Sequence, residues 1–160
     1  MKDVNIETTL TVYENFEELP KEVVLLMRKA SEARLKAYAP YSKFLVGAAI
    51  LLENGEIVTG NNQENASYPS GLCAERTAIY YAGAQFPGVK MLRMALTAGS
   101  QLQSTTTPIP PCGACRQAIA EYEVKQEAPI EMYFMGETGK IVKSASLANL
   151  LPLGFDRSFL

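Results

Sequence analysis

The stretch Phe44-Leu45-Val46-Gly47-Ala48-Ala49-Ile50-Leu51-Leu52-Glu53-Asn54-Gly55-Glu56-Ile57-Val58-Thr59-Gly60 decides the fold. Its first nine residues are almost all apolar, which predicts a strand buried on both faces. Asn54-Gly55 is the strongest short-range hairpin signal, and 57–60 returns as a second strand. Upstream, Val23, Leu26, Met27, Ala30, Ala33 and Ala37 follow i, i+3, i+4, i+7 spacing and predict a helix over 20–38. Pro20 suits the first position of that helix, and Pro40 breaks it. Residues 10–16 read as a short extra strand or an ordered arm. Downstream, 61–72 is polar and turn-rich. Then come a helix over 73–84, a strand over 91–98, a loop over 99–111 and a helix over 113–122. Strands over 130–135 and 140–143 flank a turn, and a short helix over 147–151 stops at Pro152. The order α-β-β-α-β-α-β-β-α predicts an α/β fold, with a mixed sheet carrying helices on its faces.

The chain has 160 residues, enough for one domain around one core. Its formal net charge is -2, so no basic excess exists to neutralise a phosphate backbone, and long nucleic acid is an unexpected partner. No apolar run reaches the roughly 18 residues that span a bilayer. Residues 1–10 are mixed polar and acidic, without a signal-peptide pattern. A cytoplasmic location and no membrane partner are the expectations.

There are three cysteines and no histidine. An odd count without a secretion pattern argues against a disulfide framework. The missing histidine excludes Ser-His-Asp and Cys-His nucleophile chemistry within one chain, and limits a transition-metal site to Cys, Asp or Glu. All three thiols fall at starts of predicted helices: Cys73 in Cys73-Ala74-Glu75-Arg76, and Cys112 and Cys115 in Pro110-Pro111-Cys112-Gly113-Ala114-Cys115-Arg116. A helix start favours thiolate over thiol. Spacing of i, i+3 puts Cys112 and Cys115 on one face. If the two helix starts meet, three thiolates converge, and Zn2+ is the natural occupant. Three protein ligands leave a fourth position for water, the mark of a catalytic site. Three thiolates against one dication leave the site at -1, and Arg76 and Arg116 are candidates to offset this by hydrogen bonds to sulfur. Glu75, two residues from Cys73, is placed to carry protons. Other readings stay open on these residues: a redox pair at Cys112 and Cys115, a structural zinc closed by Glu75, or three unrelated buried thiols.

The pairing of Cys73-Ala74-Glu75 with a downstream Pro111-Cys112-Gly113-Ala114-Cys115 resembles the signature of the zinc nucleoside and nucleotide deaminases. A first-position cysteine resembles the homotetrameric cytidine deaminase branch. The likeness extends to Tyr41-Ser42-Lys43-Phe44, to Val46-Gly47-Ala48-Ala49, to the stretch from Asn62 to Tyr68, and to Leu150-Leu151-Pro152-Leu153-Gly154-Phe155. It covers residues 22–155.

The resemblance implies a three-layer α/β/α fold with a mixed five-stranded sheet. It implies one zinc per chain on Cys73, Cys112 and Cys115, with Glu75 as proton shuttle. The reaction implied is hydrolytic deamination of cytidine or deoxycytidine by a zinc-bound hydroxide, a step of pyrimidine salvage. Asn62 and Glu64 would grip the ribose 3′-hydroxyl, and a carboxylate there would repel a phosphate. Phe44 would pack on the base or sugar, backbone groups of Ala74 would read the base edge, and Phe155 would stack on the base from a neighbouring subunit of a homotetramer. A deaminase acting on an aminonucleoside antibiotic such as blasticidin is a nearby alternative, which Asn62-Gln63-Glu64 disfavours. There are departures: residues 1–20 form an extension before the single domain 21–160, Pro110 stands where the family often has Ser, and the tail beyond Phe155 is short.

Overall fold

A computed structural model describes residues 1–160. One mixed sheet carries helices on both faces. Its strands are β1 (Thr11–Tyr13), β2 (Phe44–Leu52), β3 (Ile57–Asn61), β4 (Met91–Ser100), β5 (Glu131–Met135) and β6 (Ile141–Ser144), in the order β1-β6-β5-β4-β2-β3. Only β4 and β5 run parallel; the other neighbours are antiparallel. The helices are α1 (Lys21–Arg34), α2 (Ala74–Gln85) and α3 (Gly113–Gln126).

Strand alternation sorts the core into two layers. Ala48, Ile50, Met94, Leu96, Met132 and Phe134 face α2 and α3, where they meet Ala78, Ile79 and Ile119. Ala49, Ala95, Tyr133 and Met135 face α1 and meet Val23, Leu26, Met27 and Ala30. Central strands buried on both faces explain why 44–52 carries no polar alternation.

The sheet has six strands where five were expected. The extra one is β1, which pairs Thr11, Val12 and Tyr13 with Lys143, Val142 and Ile141. Tyr13 packs on the α1 side, so part of the N-terminal extension completes the sheet. Other boundaries shift for local reasons. Pro20 flanks α1 as its N-cap, with its carbonyl accepting from Val23 and Val24. The helix stops at Arg34 because Tyr38 bonds by its N–H and carbonyl to the backbone of Asn62 and Glu64. α3 runs on to Gln126 and ends at Glu127, whose φ is 52°. The predicted helix over 147–151 is a 3-10 turn, Leu147–Leu150.

Two features fix the ends of the helices that matter for the site. A Cβ on Gly60 would lie 2.6 Å from the Ala74 carbonyl oxygen and 2.6 Å from the Ala78 nitrogen. Glycine therefore lets the first turn of α2 rest directly on β3. Glu123 ties α3 to the chain that follows: it accepts from the N–H of Ile130 at 2.7 Å and of Leu147 at 2.8 Å, and from the Ser146 hydroxyl at 2.9 Å. At the opposite end of the sheet, Glu131 joins Arg93 and Lys143, and Arg93 reaches Glu22 on α1. Those cations hold the Glu131 carboxyl below its usual range against the opposing effect of burial.

Candidate active site

The two cysteine segments meet at helix starts. Cys73 is the N-cap of α2 and Cys112 the N-cap of α3, and neither makes a side-chain cap bond, so their sulfurs are free to turn to one another. Cys115 lies one turn into α3 and is fully buried. The three Sγ atoms lie within 4.8 Å of one another, with Cys73–Cys112 at 3.9 Å and Cys112–Cys115 at 3.5 Å. Zn–S bonds of about 2.3 Å in a tetrahedron put sulfurs about 3.8 Å apart, so the donor set and its spacing fit zinc. The cluster of mutually close donor atoms is made of the three sulfurs and contains no carboxylate oxygen. Hydrogen bonding from Cys115 pulls the Cys73 thiol down to about 5, with Arg76 acting in the same sense, while that shared proton and burial push Cys115 up. Proton sharing among converging thiols is what a metal replaces.

Glu75 is the second residue of α2 and only 5% exposed. Burial pushes its carboxyl up to about 7, and the nearby Cys73 charge adds to the shift. A carboxyl poised near neutrality beside a metal site can both accept and donate a proton. Ala74, ahead of it, is fully buried with its N–H in the first turn of the helix.

The arginines divide. Arg76 Nη2 lies 3.9 Å from Cys73 Sγ, within hydrogen-bonding reach of sulfur. Arg116 does something else. Its Nε donates to the Pro111 carbonyl and its Nη1 to the Leu150 carbonyl, both at 2.8 Å. It clamps the loop entering Cys112 to the 147–150 turn, so its hydrogen bonds go to backbone and not to sulfur. An arginine one residue past a ligand carries no sequence mark that separates these two uses.

A cleft of about 500 Å³ opens beside Cys73. Cys73 and Arg76 lie at one end, and Asn62, Glu64, Tyr41 and Tyr68 line the rest. Asn62 is heavily engaged: its Oδ1 accepts from Val46 N–H at 2.8 Å and its Nδ2 donates to the Phe44 carbonyl at 2.9 Å. It extends the β2–β3 pairing by side chain and leaves one amide hydrogen and one lone pair unused. Glu64 Oε2 accepts from the N–H groups of Tyr41 at 2.9 Å and Ser42 at 3.3 Å, and its Oε1 accepts from the Ser42 hydroxyl. These bonds, the Ser42 hydroxyl foremost, hold its carboxyl below the usual range.

Phe44 is half-buried at the start of β2 and is not part of the cleft lining. Phe155 is 57% exposed, stacks on Phe159 at 5.5 Å and borders a separate hollow against α3. Within one chain it does not reach the cleft. Tyr41, Ser42 and Leu72 also line the cleft, beyond the residues expected from the motifs. The first two lie in a quoted motif, but only the fold shows that this turn faces 62–64.

The model of the cytidine and deoxycytidylate deaminase zinc-binding region matches residues 20–128. A cytidine deaminase of Halalkalibacterium halodurans is 39% identical over 131 residues, 82% of this chain and 92% of that one. One of Sporosarcina psychrophila is 40% identical over 136 residues, 85% and 93% of the respective chains. The crystal structure of cytidine deaminase from Burkholderia pseudomallei superposes with a TM-score of 0.72 at 37% identity, covering 86% of this chain and all of that one. The matched segment contains all three sulfurs and Glu75, and the chain belongs to the cytidine and deoxycytidylate deaminase family of zinc-binding hydrolases.

Proposed function

We propose that this chain hydrolyses cytidine or deoxycytidine to uridine or deoxyuridine and ammonia, within pyrimidine salvage. One observation carries the reading: a three-sulfur cluster, with a buried carboxylic acid beside it, borders through Cys73 a cleft whose walls hold a charged hydrogen-bond acceptor. Cys73, Cys112 and Cys115 hold one zinc, which when bound lowers the pKa of a water toward about 7 and so supplies the nucleophile for C4 of the cytosine ring. Glu75 takes the water's proton and delivers it to ring N3, then moves the proton of the new C4 hydroxyl to the 4-amino group, which leaves as ammonia while the C4 oxygen becomes the uracil carbonyl. Its burial supports this role, because it raises the proton affinity of the carboxylate, which can then accept the water's proton and hold it between transfers. Arg76 offsets the thiolate charge.

Asn62 and Glu64 receive the 3′-hydroxyl. Glu64 is an acceptor only, so it selects a donor and repels a phosphate. Phe44 packs beside the ring, and backbone groups of Ala74 meet the base edge. Phe155 closes the site from a neighbouring subunit. Exposure of Tyr38, Tyr41, Tyr68 and Leu72 around the cleft supports a homotetramer that covers them. Residues 21–160 are the catalytic unit. No helix is long and apolar enough to cross a membrane, and three unpaired thiols suit a reducing, cytoplasmic setting.

Assays of cytidine, deoxycytidine, adenosine and cytidine monophosphate, followed by ultraviolet absorbance, test the reading. Conversion of the first two alone is expected. Preference for the monophosphate or for adenosine contradicts it, as does inertness of zinc-loaded protein toward all four.

A further inference from the structure

Between α1 and β2 the chain makes a tight turn through Tyr41, Ser42 and Lys43. Lys43 sits at φ 57°, in the left-handed region that non-glycine residues seldom enter. Two backbone bonds keep it there: its N–H donates to the Ala39 carbonyl at 3.2 Å, and its carbonyl accepts from Gln101 N–H at 2.8 Å. Local strain held in place by surrounding bonds is a reason to ask what the turn presents.

It presents the Ser42 hydroxyl. Ser42 Oγ accepts from Phe44 N–H at 3.0 Å. That bond occupies a lone pair and leaves the hydroxyl's single proton for another partner, and the proton goes to Glu64 Oε1. Oε2 is already held by the N–H groups of Tyr41 and Ser42. Three donors from one turn thus fix both oxygens of a carboxylate carried on a different segment. They leave it one acceptor direction. Ser42 is also the one residue bonded at once to Glu64 and to the strand entry at Phe44.

We propose that Ser42 is a positioning residue for the nucleoside sugar: by donating to Glu64 it aims the remaining carboxylate lone pair at the 3′-hydroxyl. The inference rests on the assignment of Glu64 to that hydroxyl. Bonds to an ionised acceptor are the stronger kind, and losing one that orients such a group lowers affinity by about tenfold.

The test uses zinc-loaded protein with deoxycytidine and with 2′,3′-dideoxycytidine, which lacks the 3′-hydroxyl. Ser42→Ala should raise KM for deoxycytidine about tenfold with kcat within about twofold, and leave KM for the dideoxy substrate unchanged. Ser42→Thr, which keeps the hydroxyl, should restore most of the loss. In a Glu64→Gln background Ser42→Ala should cost nothing more. Equal rises for both substrates, or none for either, overturn the proposal, as does full additivity with Glu64→Gln. If the wild type itself fails to discriminate the two substrates, the sugar assignment falls. A carbon-13 titration of the Glu64 carboxyl then still judges the contact: Ser42→Ala should raise its pKa, and an unchanged titration overturns the contact itself.

Discussion

Glu75→Gln is expected to lower turnover by about four orders of magnitude while zinc stays at one per chain. The amide matches the carboxyl in volume, so it fits the same pocket at the start of α2, where Glu75 is 5% exposed. Packing and helix geometry are therefore retained. What is lost is basicity: an amide cannot accept the proton of the attacking water, and cannot return one to N3 or to the leaving amine. A positioned acid-base group contributes about 10² to 10⁴ per transfer, and this group serves at more than one. Retention of zinc is part of the prediction because the sulfur cluster contains no oxygen of Glu75. Steady-state kinetics beside metal analysis of the same sample decide it. Near-normal turnover would remove Glu75 as the proton carrier.

Cys112→Ala is expected to weaken zinc binding by well over a hundredfold and leave the fold intact. Changing a partner that merely orients a ligand costs about 10- to 100-fold in metal affinity, so deleting a ligand costs more. Cys112 is the informative choice of the three. It is exposed and caps α3 without a side-chain bond, so alanine disturbs little. Cys115 is fully buried, and its loss would mix metal release with a packing defect. Metal content after dialysis, read against circular dichroism, separates the two effects. A folded variant with full zinc would mean that the ligand set is wrong.

Much of the fold was legible because the deciding signals are local. The apolar run at 44–52 and Asn54-Gly55 announce a hairpin without outside help. β1 was not legible as a paired strand. Three residues carry little pattern, and their partner lies some 130 positions away at 141–143. The end of α3 was hidden for another reason. Its left-handed terminating residue is Glu127, where glycine would have marked the stop.

The site divides the same way. Spacing alone put Cys112 and Cys115 on one face, and the resemblance brought Cys73 to them. Asn62 and Glu64 both line the cleft. That Asn62 spends most of its capacity on the backbone of Phe44 and Val46 needed the register of β2 against β3. Arg116 was read as a partner for sulfur, but the carbonyls of Pro111 and Leu150 claim it. Long-range carbonyl contacts leave no trace in residue order. The same holds for the turn at Ser42, whose meaning lies in what stands opposite.

X-ray absorption at the zinc edge, on purified protein as isolated, tests the central claim most directly. The expected spectrum fits three sulfurs at about 2.3 Å and one lighter oxygen scatterer at about 2.0 Å, at one zinc per chain. A shell of four protein donors, or fewer than three sulfurs around the metal, would contradict it.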